Sequence, residues 1–150
     1  MKRINLGILI LSTLVLTCAC SKDSGTMTCT NKVDNGSYNI VMESKVNYEN
    51  GYVTTLTTKE ETKAPSDEAA QNFKDLLNNA YIKYNKLEGF TSTVEVSNQT
   101  VTSVTTIDYS IIDLEQLSKI DEANKAMVED GKITIEKLKE SFHSQGAVCK

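Results

Sequence analysis

The chain is poor in the residue types on which many enzyme and metal sites depend. Its 150 residues include a single histidine, His143, and a single proline. One histidine cannot complete a catalytic triad here, because no Ser or Cys nucleophile stands in a recognisable setting. Four cysteines without a CxxC spacing cannot assemble a closed zinc site with it either. We therefore predict no metal and no cofactor, and a solvated His143 near the C-terminal end of a helix.

The chain also lacks an excess of positive charge. It has 16 Lys and Arg against 20 Asp and Glu, which gives a net charge of −4. Removal of residues 1–19 takes away Lys2 and Arg3 and no acid, so the net charge falls to −6. A nucleic-acid partner requires a basic face, and electrostatic adhesion to anionic lipid requires basic clusters. The charge balance argues against both kinds of partner.

The first twenty residues contain a long uncharged run. Lys2 and Arg3 form a basic tip, and Ile4 to Ala19 follows without any charge. A basic tip, a short apolar run and a small-residue exit are typical of a secretory signal peptide. The run is interrupted by polar residues and is short for a membrane-spanning helix, which needs about 20 apolar residues. Residues 1–19 are therefore predicted to be a signal peptide.

The end of this run, Leu16-Thr17-Cys18-Ala19-Cys20, resembles a bacterial lipoprotein box, in which the acylated Cys becomes the mature N-terminus. Small Ala19 precedes Cys20, whereas bulkier Thr17 precedes Cys18, so we predict that lipid attaches to Cys20. This would anchor the protein through acyl chains to the extracytoplasmic face of the cell membrane. Thr17 stands where such boxes usually have leucine. The alternative is an ordinary signal peptide cut near Ala19, which releases a soluble protein.

Two cysteines remain after this processing, one near each end of the mature chain. An even pair in an exported protein indicates a disulfide, here Cys29 with Cys149. Two free thiols or a metal pair are the alternatives. Closing a loop of about 120 residues would remove roughly 5 kcal/mol of unfolded-state entropy in the chain-entropy model.

Residues 27–150 are predicted to form a single α+β domain, with residues 20–26 as a lipidated tether. Tyr38 to Tyr48 alternates apolar and polar residues, which is typical of an antiparallel sheet with one wet face. Asn50-Gly51 is the preferred pair for a tight hairpin. Strands are expected near residues 27–33, 38–48, 52–62, 91–96 and 100–109.

The helices are predicted from caps and apolar spacing. Ser66 is a good N-cap for a helix of about 22 residues that ends at Gly89. We expect this one long helix to cover the sheet, with two shorter helices after it, capped by Asp113 and Thr134. The contacts expected under the long helix join Phe73, Leu76, Leu77 and Tyr84 to Ile40, Met42, Val46 and Leu56.

Three other residue sets suggest sites. The acidic pairs do not follow a calcium-loop pattern, and solvated helix ends and strand edges account for them better than a calcium or glycosidase site does. Threonine-rich strands are ordinary on a wet sheet face, and most of the tyrosines are expected in the core with a hydroxyl at the edge, although they could line a groove. The acidic pairs are Glu60-Glu61, Asp67-Glu68, Asp121-Glu122 and Glu129-Asp130, and the tyrosines are Tyr38, Tyr48, Tyr52, Tyr81 and Tyr84.

The run from Val104 to Leu117, VTTIDYSIIDLEQL, resembles the YehR-like family of small bacterial lipoproteins. The lipoprotein box, the paired strands and Gly89-Phe90 before a hairpin are similar as well. The residues around Cys29 and Cys149 resemble relatives in which two cysteines are positioned to pair. The resemblance implies an α+β fold and a lipid-anchored location, and it carries over no functional site beyond the lipidated Cys.

The predicted function is therefore a non-enzymatic binding module at the cell envelope, whose partner is an envelope protein, a polymer or a small ligand. The alternative is a hydrolase or other enzyme that uses carboxylates from separate elements. A deep pocket with convergent acids of raised pKa would favour the enzyme. An apolar groove or a shallow sheet surface would favour the binding module.

Overall fold

The fold is given by a computed structural model that describes residues 24–34 and 36–150. Across these residues the chain forms eight strands, four α-helices and one 3₁₀ turn. The strands are β1 Gly25–Asp34, β2 Asn39–Glu49, β3 Tyr52–Lys63, β4 Phe90–Ser97, β5 Thr100–Asp108, β6 Val128–Glu129, β7 Lys132–Ile133 and β8 Val148–Cys149. The helices are α1 Asp67–Tyr81, α2 Leu114–Ile120, α3 Ala123–Met127 and α4 Ile135–Ser144, and the 3₁₀ turn is Tyr84–Lys86.

Six of these strands form one antiparallel sheet in the order β4-β5-β3-β2-β1-β8. The short strands β6 and β7 pair with each other as a separate hairpin. The predicted α+β class and antiparallel sheet are confirmed, with six strands in place of about five. Strand β1 begins at Gly25, two residues earlier than expected, so its first two residues come from the predicted tether.

The tight turns follow the sequence signals. Between β2 and β3, Asn50 and Gly51 have φ angles of 54° and 78°, the left-handed pair that a two-residue hairpin requires. Between β4 and β5, Asn98 and Gln99 adopt φ angles of 48° and 63°, so this turn has the same conformation without a glycine. The turn after β1 is described on either side of Asn35, where the Gly36 N–H donates to Asp34 Oδ1 at 2.9 Å.

Alternation along the strands gives the sheet one covered and one open face. In β2, Ser44 and Val46 are buried on the covered face, whereas Glu43 and Lys45 are exposed on the other. All four helices are connected on the covered side through three apolar clusters. The buried members are Met27, Cys29, Val46, Val53, Ile133 and Leu138 in the first, Leu87, Phe90, Ile112 and Leu117 in the second, and Ala64, Ala70 and Val101 in the third.

The predicted helix over residues 66–88 is shorter in the structure. Ser66 caps it as expected, since its Oγ accepts the Ala69 N–H at 3.1 Å, but α1 ends at Tyr81 after 15 residues. The chain then tightens into the 3₁₀ turn and becomes extended at Leu87. Gly89 has a φ of 85°, and a Cβ there would lie 2.9 Å from the Asp108 carbonyl oxygen. The turn places Phe90 beside β5. The apolar residues of this stretch therefore continue to face the core after the helix has ended.

The contacts predicted for this helix are partly wrong. Leu76 is 61% exposed. Phe73 and Leu77 are partly buried in the third cluster with Tyr38, Val94 and Val96, at the β4–β5 side of the sheet. The residues expected beneath the helix, Val46 and Leu56, belong instead to the first cluster, which the C-terminal segment covers.

The C-terminal caps match the prediction. Asp113 accepts the N–H groups of Glu115 and Gln116 at 2.9 and 3.0 Å, and the Gln116 side chain donates to its other oxygen at 2.8 Å. These bonds, those from Gln116 first, lower the pKa of the Asp113 carboxyl. Thr134 accepts the Lys137 N–H at 3.4 Å, and Ile133 packs with Leu138 in the first cluster as a hydrophobic staple.

The sequence predicts residues 121–131 as a charged link that could be helical, whereas the β6–β7 hairpin and strand β8 were not predicted. The charged link 121–131 contains α3 and leads into the β6–β7 hairpin, whose turn is Asp130-Gly131 with φ angles of 51° and 73°. After α4 the chain forms β8, which pairs with β1. Strands β6, β7 and β8 are each only two residues long, so none of them shows an alternating pattern in the sequence.

Strand β8 brings the two predicted cysteine partners together. Cys29 lies directly opposite Cys149, with a Cα–Cα distance of 4.0 Å and an S–S distance of 2.03 Å. Thr28 and Lys150 exchange backbone hydrogen bonds of 3.0 and 2.9 Å beside them. The structure therefore places this pair at bonding distance and joins the edge of the sheet to the last residues of the chain.

We predict that Cys29→Ser, Cys149→Ser and the double substitution destabilise residues 21–150 equally. Losing either sulfur removes the same cross-link, whose loop of 120 residues is worth up to about 5 kcal/mol in the chain-entropy model. Urea unfolding compares the three variants with the parent, and thiol counting under denaturation should find no free thiol in the parent. Two free thiols in freshly isolated parent protein, or a double variant clearly weaker than both single variants, would contradict this pairing.

Candidate functional site

The candidate site lies at the end of the sheet where β1 begins. Because neighbouring strands are antiparallel, the start of β1, the end of β2, the start of β3 and the end of β5 meet there. We call this the tether end and define it by Gly25, Glu49, Tyr52 and Asp108. Ser24, the first described residue, is held at it because its Oγ accepts the Asn50 N–H at 3.0 Å.

Tyr52 is the residue around which the tether end is built. It forms an isolated bridge with Thr134, the cap of α4, and the Ile135 N–H donates to the Gly51 carbonyl at 3.0 Å. The Lys132 Nζ atom lies 4.8 Å from the centre of the Tyr52 ring, within the range of a cation–π contact. The β6–β7 hairpin and the start of α4 are therefore fixed against the β2–β3 turn.

A cleft of about 570 Å³ lies on one side of Tyr52, between β1, β2 and the first turns of α4. We call it the α4 cleft. Its walls include Met27, Tyr48, Ile135, Glu136 and Lys139, and it extends to Cys149. The Tyr48 hydroxyl lies over Gly25, 3.0 Å from the position of a Cβ there, so a larger residue at Gly25 would displace the ring.

A second cleft of about 630 Å³ lies on the other side of Tyr52. We call it the Tyr109 cleft. Its apolar lining is supplied by Val53, Ile112, Leu114 and Ile133. Three of these side chains belong to the buried clusters, so the lining is part of the core.

Tyr109 itself contributes a polar group to this lining. Burial raises the pKa of Tyr109 to about 12. Its backbone N–H donates to the Thr54 carbonyl at 2.8 Å, which extends the β3–β5 pairing. Its hydroxyl makes no hydrogen bond to residues 24–34 or 36–150, and it is open to the cleft, since no enclosed side-chain oxygen of these residues lacks a partner. The Lys132 amine at the rim likewise makes no ion pair within the described chain. The Tyr109 cleft thus combines apolar walls with one phenol and one cation that has no carboxylate partner among the described residues.

A third cleft, of about 700 Å³, runs along α2 and α3. Its walls include Leu114 and Val128, and its charged residues include Glu115 and Lys119, which pair with each other at 2.7 Å on the helix surface. Exposed ion pairs of this kind contribute little. This cleft has no counterpart to the mostly buried phenol of Tyr109, and it supports a specific site less well than the Tyr109 cleft.

The acidic pairs do not come together in the structure. Glu60 and Glu61 point to opposite faces of β3, where Glu60 accepts from the Thr62 hydroxyl at 3.0 Å and Glu61 pairs with Lys59 at 2.7 Å. The other pairs lie in the first turn of α1, between α2 and α3, and at the β6–β7 turn. Among the residues described, no three His, Cys, Asp or Glu side chains are grouped as a metal site would require. His143 is exposed in the last turn of α4, where a cation suits the helix dipole.

The tyrosines named from sequence divide into two sets. Tyr48 and Tyr52 line the clefts at the tether end. Of the other three, Tyr38 contacts Phe73 of α1, whereas Tyr81 at the end of α1 and Tyr84 in the 3₁₀ turn both contact Phe90. Tyr109 was not named as a site residue, although its place just after a long strand and before a helix cap put it at a sheet end.

The threonines of the threonine-rich strands divide between the two faces of the sheet. Thr58 and Thr105 lie on the covered face in line with Ser44, whereas Thr55, Thr57, Thr102 and Thr106 lie on the open face, as predicted. Thr57 and Thr106 share a hydrogen bond of 3.2 Å across β3 and β5, with Lys59 and Glu61 paired beside them. The side chains on this face make bonds with one another and form no cleft comparable to those at the tether end. We assign no site to it.

Cys20, the predicted lipid site, lies outside the described residues, as does the predicted signal peptide. None of the helices in the described segments has the length and apolar composition needed to cross a bilayer. Ser24 follows Cys20 by four residues, so the structure begins close to the predicted attachment point.

Comparisons with solved structures show similarity at the level of the fold. An NMR structure of a protein from Streptococcus pneumoniae TIGR4 has a TM-score of 0.58 and 14% identity, with 100% of this chain and 99% of that chain covered. The NMR structure of the E. coli YehR protein has a TM-score of 0.60 and 15% identity, with 84% and 91% covered. The YehR-like resemblance is confirmed to this extent, because such identities show the fold alone.

The sequence comparisons give a family without an activity. No curated protein matches the chain. Residues 19–150 match the family model described as a domain of unknown function, DUF8824. Since this match covers nearly the whole chain, the protein belongs to the DUF8824 family.

Proposed function

We propose that this protein is a lipoprotein, anchored through Cys20 to the extracytoplasmic face of the cell membrane, and that it binds a small amphipathic ligand without catalysing a reaction. The anchor is supported by the basic tip, the uncharged run and Ala19-Cys20. The observation that carries the binding role is the Tyr109 cleft, where apolar walls adjoin the Tyr109 phenol and the Lys132 amine, which makes no ion pair with the described residues.

The groups in this cleft define the chemistry of the ligand. The walls favour an apolar body, because small-ligand sites are mostly apolar with a few placed polar groups. The Tyr109 hydroxyl is available to donate a hydrogen bond to an acceptor. Lys132, held over the Tyr52 ring, provides a cation for an anionic group. A ligand with an apolar body and one anionic or strongly accepting group satisfies all three.

The carboxylates near the clefts support binding better than catalysis. Glu129 and Glu136 line the α4 cleft, whereas Glu49 lines the Tyr109 cleft. Glu129 is paired with Lys137 at 3.4 Å. The α4 cleft therefore does not offer the two unpaired acids that the carboxylate-enzyme alternative requires.

We expect anilinonaphthalene sulfonate, which joins apolar rings to an anionic group, to bind residues 21–150 saturably at one site. Lys132→Gln should weaken its binding roughly two- to five-fold, as loss of a partly exposed charge contact does. Fluorescence titration measures the affinity. The matched control is Lys45→Gln on the open face, which should leave the affinity unchanged. Equal affinities of the dye for the parent and the Lys132 variant would contradict binding in the Tyr109 cleft.

The buried phenol gives a pH-dependent prediction. Because burial raises the pKa of Tyr109 to about 12 from 10.0, the folded state favours the neutral phenol. Its contribution to stability is fully present below about pH 10 and is lost as the pH rises to about 12. Over that range the parent should lose about 2–3 kcal/mol more unfolding free energy than Tyr109→Phe does. Urea unfolding at several pH values measures the unfolding free energy of the parent and of the variant. If the two free energies change with pH in the same way, the phenol is solvated and the prediction is wrong.

Acylation is tested on the full chain expressed in a bacterium with lipoprotein processing. Intact mass of membrane-extracted protein should show a start at Cys20 with added acyl mass, because two or three chains are needed for stable anchoring. Cys20→Ala should abolish processing and acylation. Cys18→Ala is the matched control and should leave both intact. If the Cys20 variant is processed and membrane-bound to the same extent as the parent, the lipoprotein assignment is wrong.

A further inference from the structure

We infer that the tether end of the sheet lies against the lipid bilayer, with Ile111 as the side chain that enters the interface. This inference rests on the proposed anchor at Cys20 and goes beyond it, because an anchor fixes attachment without fixing which surface of a domain meets the lipid. Three features support it: the length of the tether, the exposure of Ile111, and the charges of the residues around it.

The tether is too short to let this end leave the membrane. Ser24 is four Cα-to-Cα steps from Cys20, and an extended chain spans at most roughly 3.6 Å per step, or roughly 14 Å in all. Ser24 is itself fixed to the β2–β3 turn through its bond to the Asn50 N–H. The turn at Asn50-Gly51 is therefore held within this distance of the lipid attachment point.

The opposite end of the sheet is far outside this reach. Val33 lies nine residues beyond Ser24, close to the end of β1. At about 3.3 Å per residue the strand carries it roughly 30 Å away. A domain standing on its tether end therefore keeps Val33 in water, whereas a domain lying flat would bring it to the lipid.

Ile111 is exposed at the tether end. It follows β5 by three residues, and its N–H donates to the Asp108 carbonyl at 3.3 Å, so the backbone there turns back towards the sheet end. Its side chain is 54% exposed, although the next residue, Ile112, is buried in the second cluster. Ile111 therefore presents a large aliphatic side chain to solvent at the tether end.

The charges at this end are compatible with apolar contact and unfavourable for electrostatic adhesion. Glu49, Asp108 and Asp130 stand there with Lys132, so no basic cluster faces the lipid. Adhesion to anionic headgroups requires such a cluster. Entry of an aliphatic side chain into the headgroup and acyl boundary does not, and the tether supplies the high local concentration that makes a weak contact effective.

The chain has no tryptophan, so each introduced tryptophan is the only one in the protein. We test the inference with Ile111→Trp in the full lipidated chain, reconstituted in vesicles of phosphatidylethanolamine and phosphatidylglycerol that contain brominated lipid. Bromine quenches tryptophan on contact. Val33→Trp at the far end and Leu76→Trp on α1 are the controls, since both positions are exposed.

We expect the Ile111→Trp emission to shift to the blue in plain vesicles and to lose intensity in brominated ones, at low and at high salt alike. The two control variants should show neither change. Quenching of Val33→Trp or Leu76→Trp equal to that of Ile111→Trp would mean that the domain lies on another surface, and an unquenched Ile111→Trp would mean that it stands away from the lipid. Either result overturns the inference.

The same preparation separates this inference from the anchor on which it rests. Intact mass of each variant reports acylation at Cys20 before reconstitution. Acylated protein with an unquenched Ile111→Trp rejects the orientation and leaves the lipoprotein proposal standing. Protein without acyl mass rejects both. Thermal unfolding of each variant checks that the substitutions have left the fold intact.

Discussion

Burial of one face of the antiparallel sheet is the constraint on which the positions of all four helices depend. That face is not uniformly apolar. Its register places Met27, Val46 and Leu56 in one row with Ile107 and Phe90 towards the tether end. A second apolar row, with Val101 and Val96, lies towards the other end. Each row needs its own cover, so the C-terminal segment packs on the first and α1 on the second.

Hydroxyl groups separate the two rows. Ser44, Thr58, Thr105 and Ser92 follow one another across four strands. The Ser44 and Thr58 hydroxyls share a bond of 2.9 Å, and among the described side chains no buried nitrogen or oxygen lacks a partner. The Ser92 hydroxyl donates to Asn85 at 2.9 Å. A buried hydroxyl without a partner costs roughly 1–3 kcal/mol, so this row does not accept an apolar helix face. This is why α1 does not reach Val46 and Leu56.

The sequence was informative where local rules decide the structure. Period-two alternation placed β2, Asn50-Gly51 placed its hairpin, and Asp113 and Thr134 placed two helix starts. Each depends on residues close together in the chain. The end of α1 was missed because its apolar spacing continues through the 3₁₀ turn, and the break is imposed by Gly89 against β5, a contact between distant residues.

The clefts were beyond prediction for the same reason. Tyr48 and Tyr52 were named, but only the sheet shows that they flank a common turn. The Tyr109 cleft also needs the β6–β7 hairpin, whose two-residue strands carry no periodic signal. Its wall residues come from three places: strand β3, strand β7, and the segment that follows β5. No single stretch of sequence therefore indicates that they meet. The pairing of Cys29 with Cys149 could be predicted, because it followed from the number of cysteines left after processing and needed no knowledge of the fold.

The arrangement of β1 has a mechanical consequence. Its hydrogen bonds with β2 run perpendicular to the strands along all ten of its residues, from Gly25↔Tyr48 to Asp34↔Asn39. A force applied at Gly25 along the strand therefore shears these bonds together and does not open them one after another. The Cys29–Cys149 bridge and the Thr28–Lys150 bonds pass part of that load to β8 on the outer side of the strand. The domain is thus built to resist a pull at the residue where its chain enters the fold.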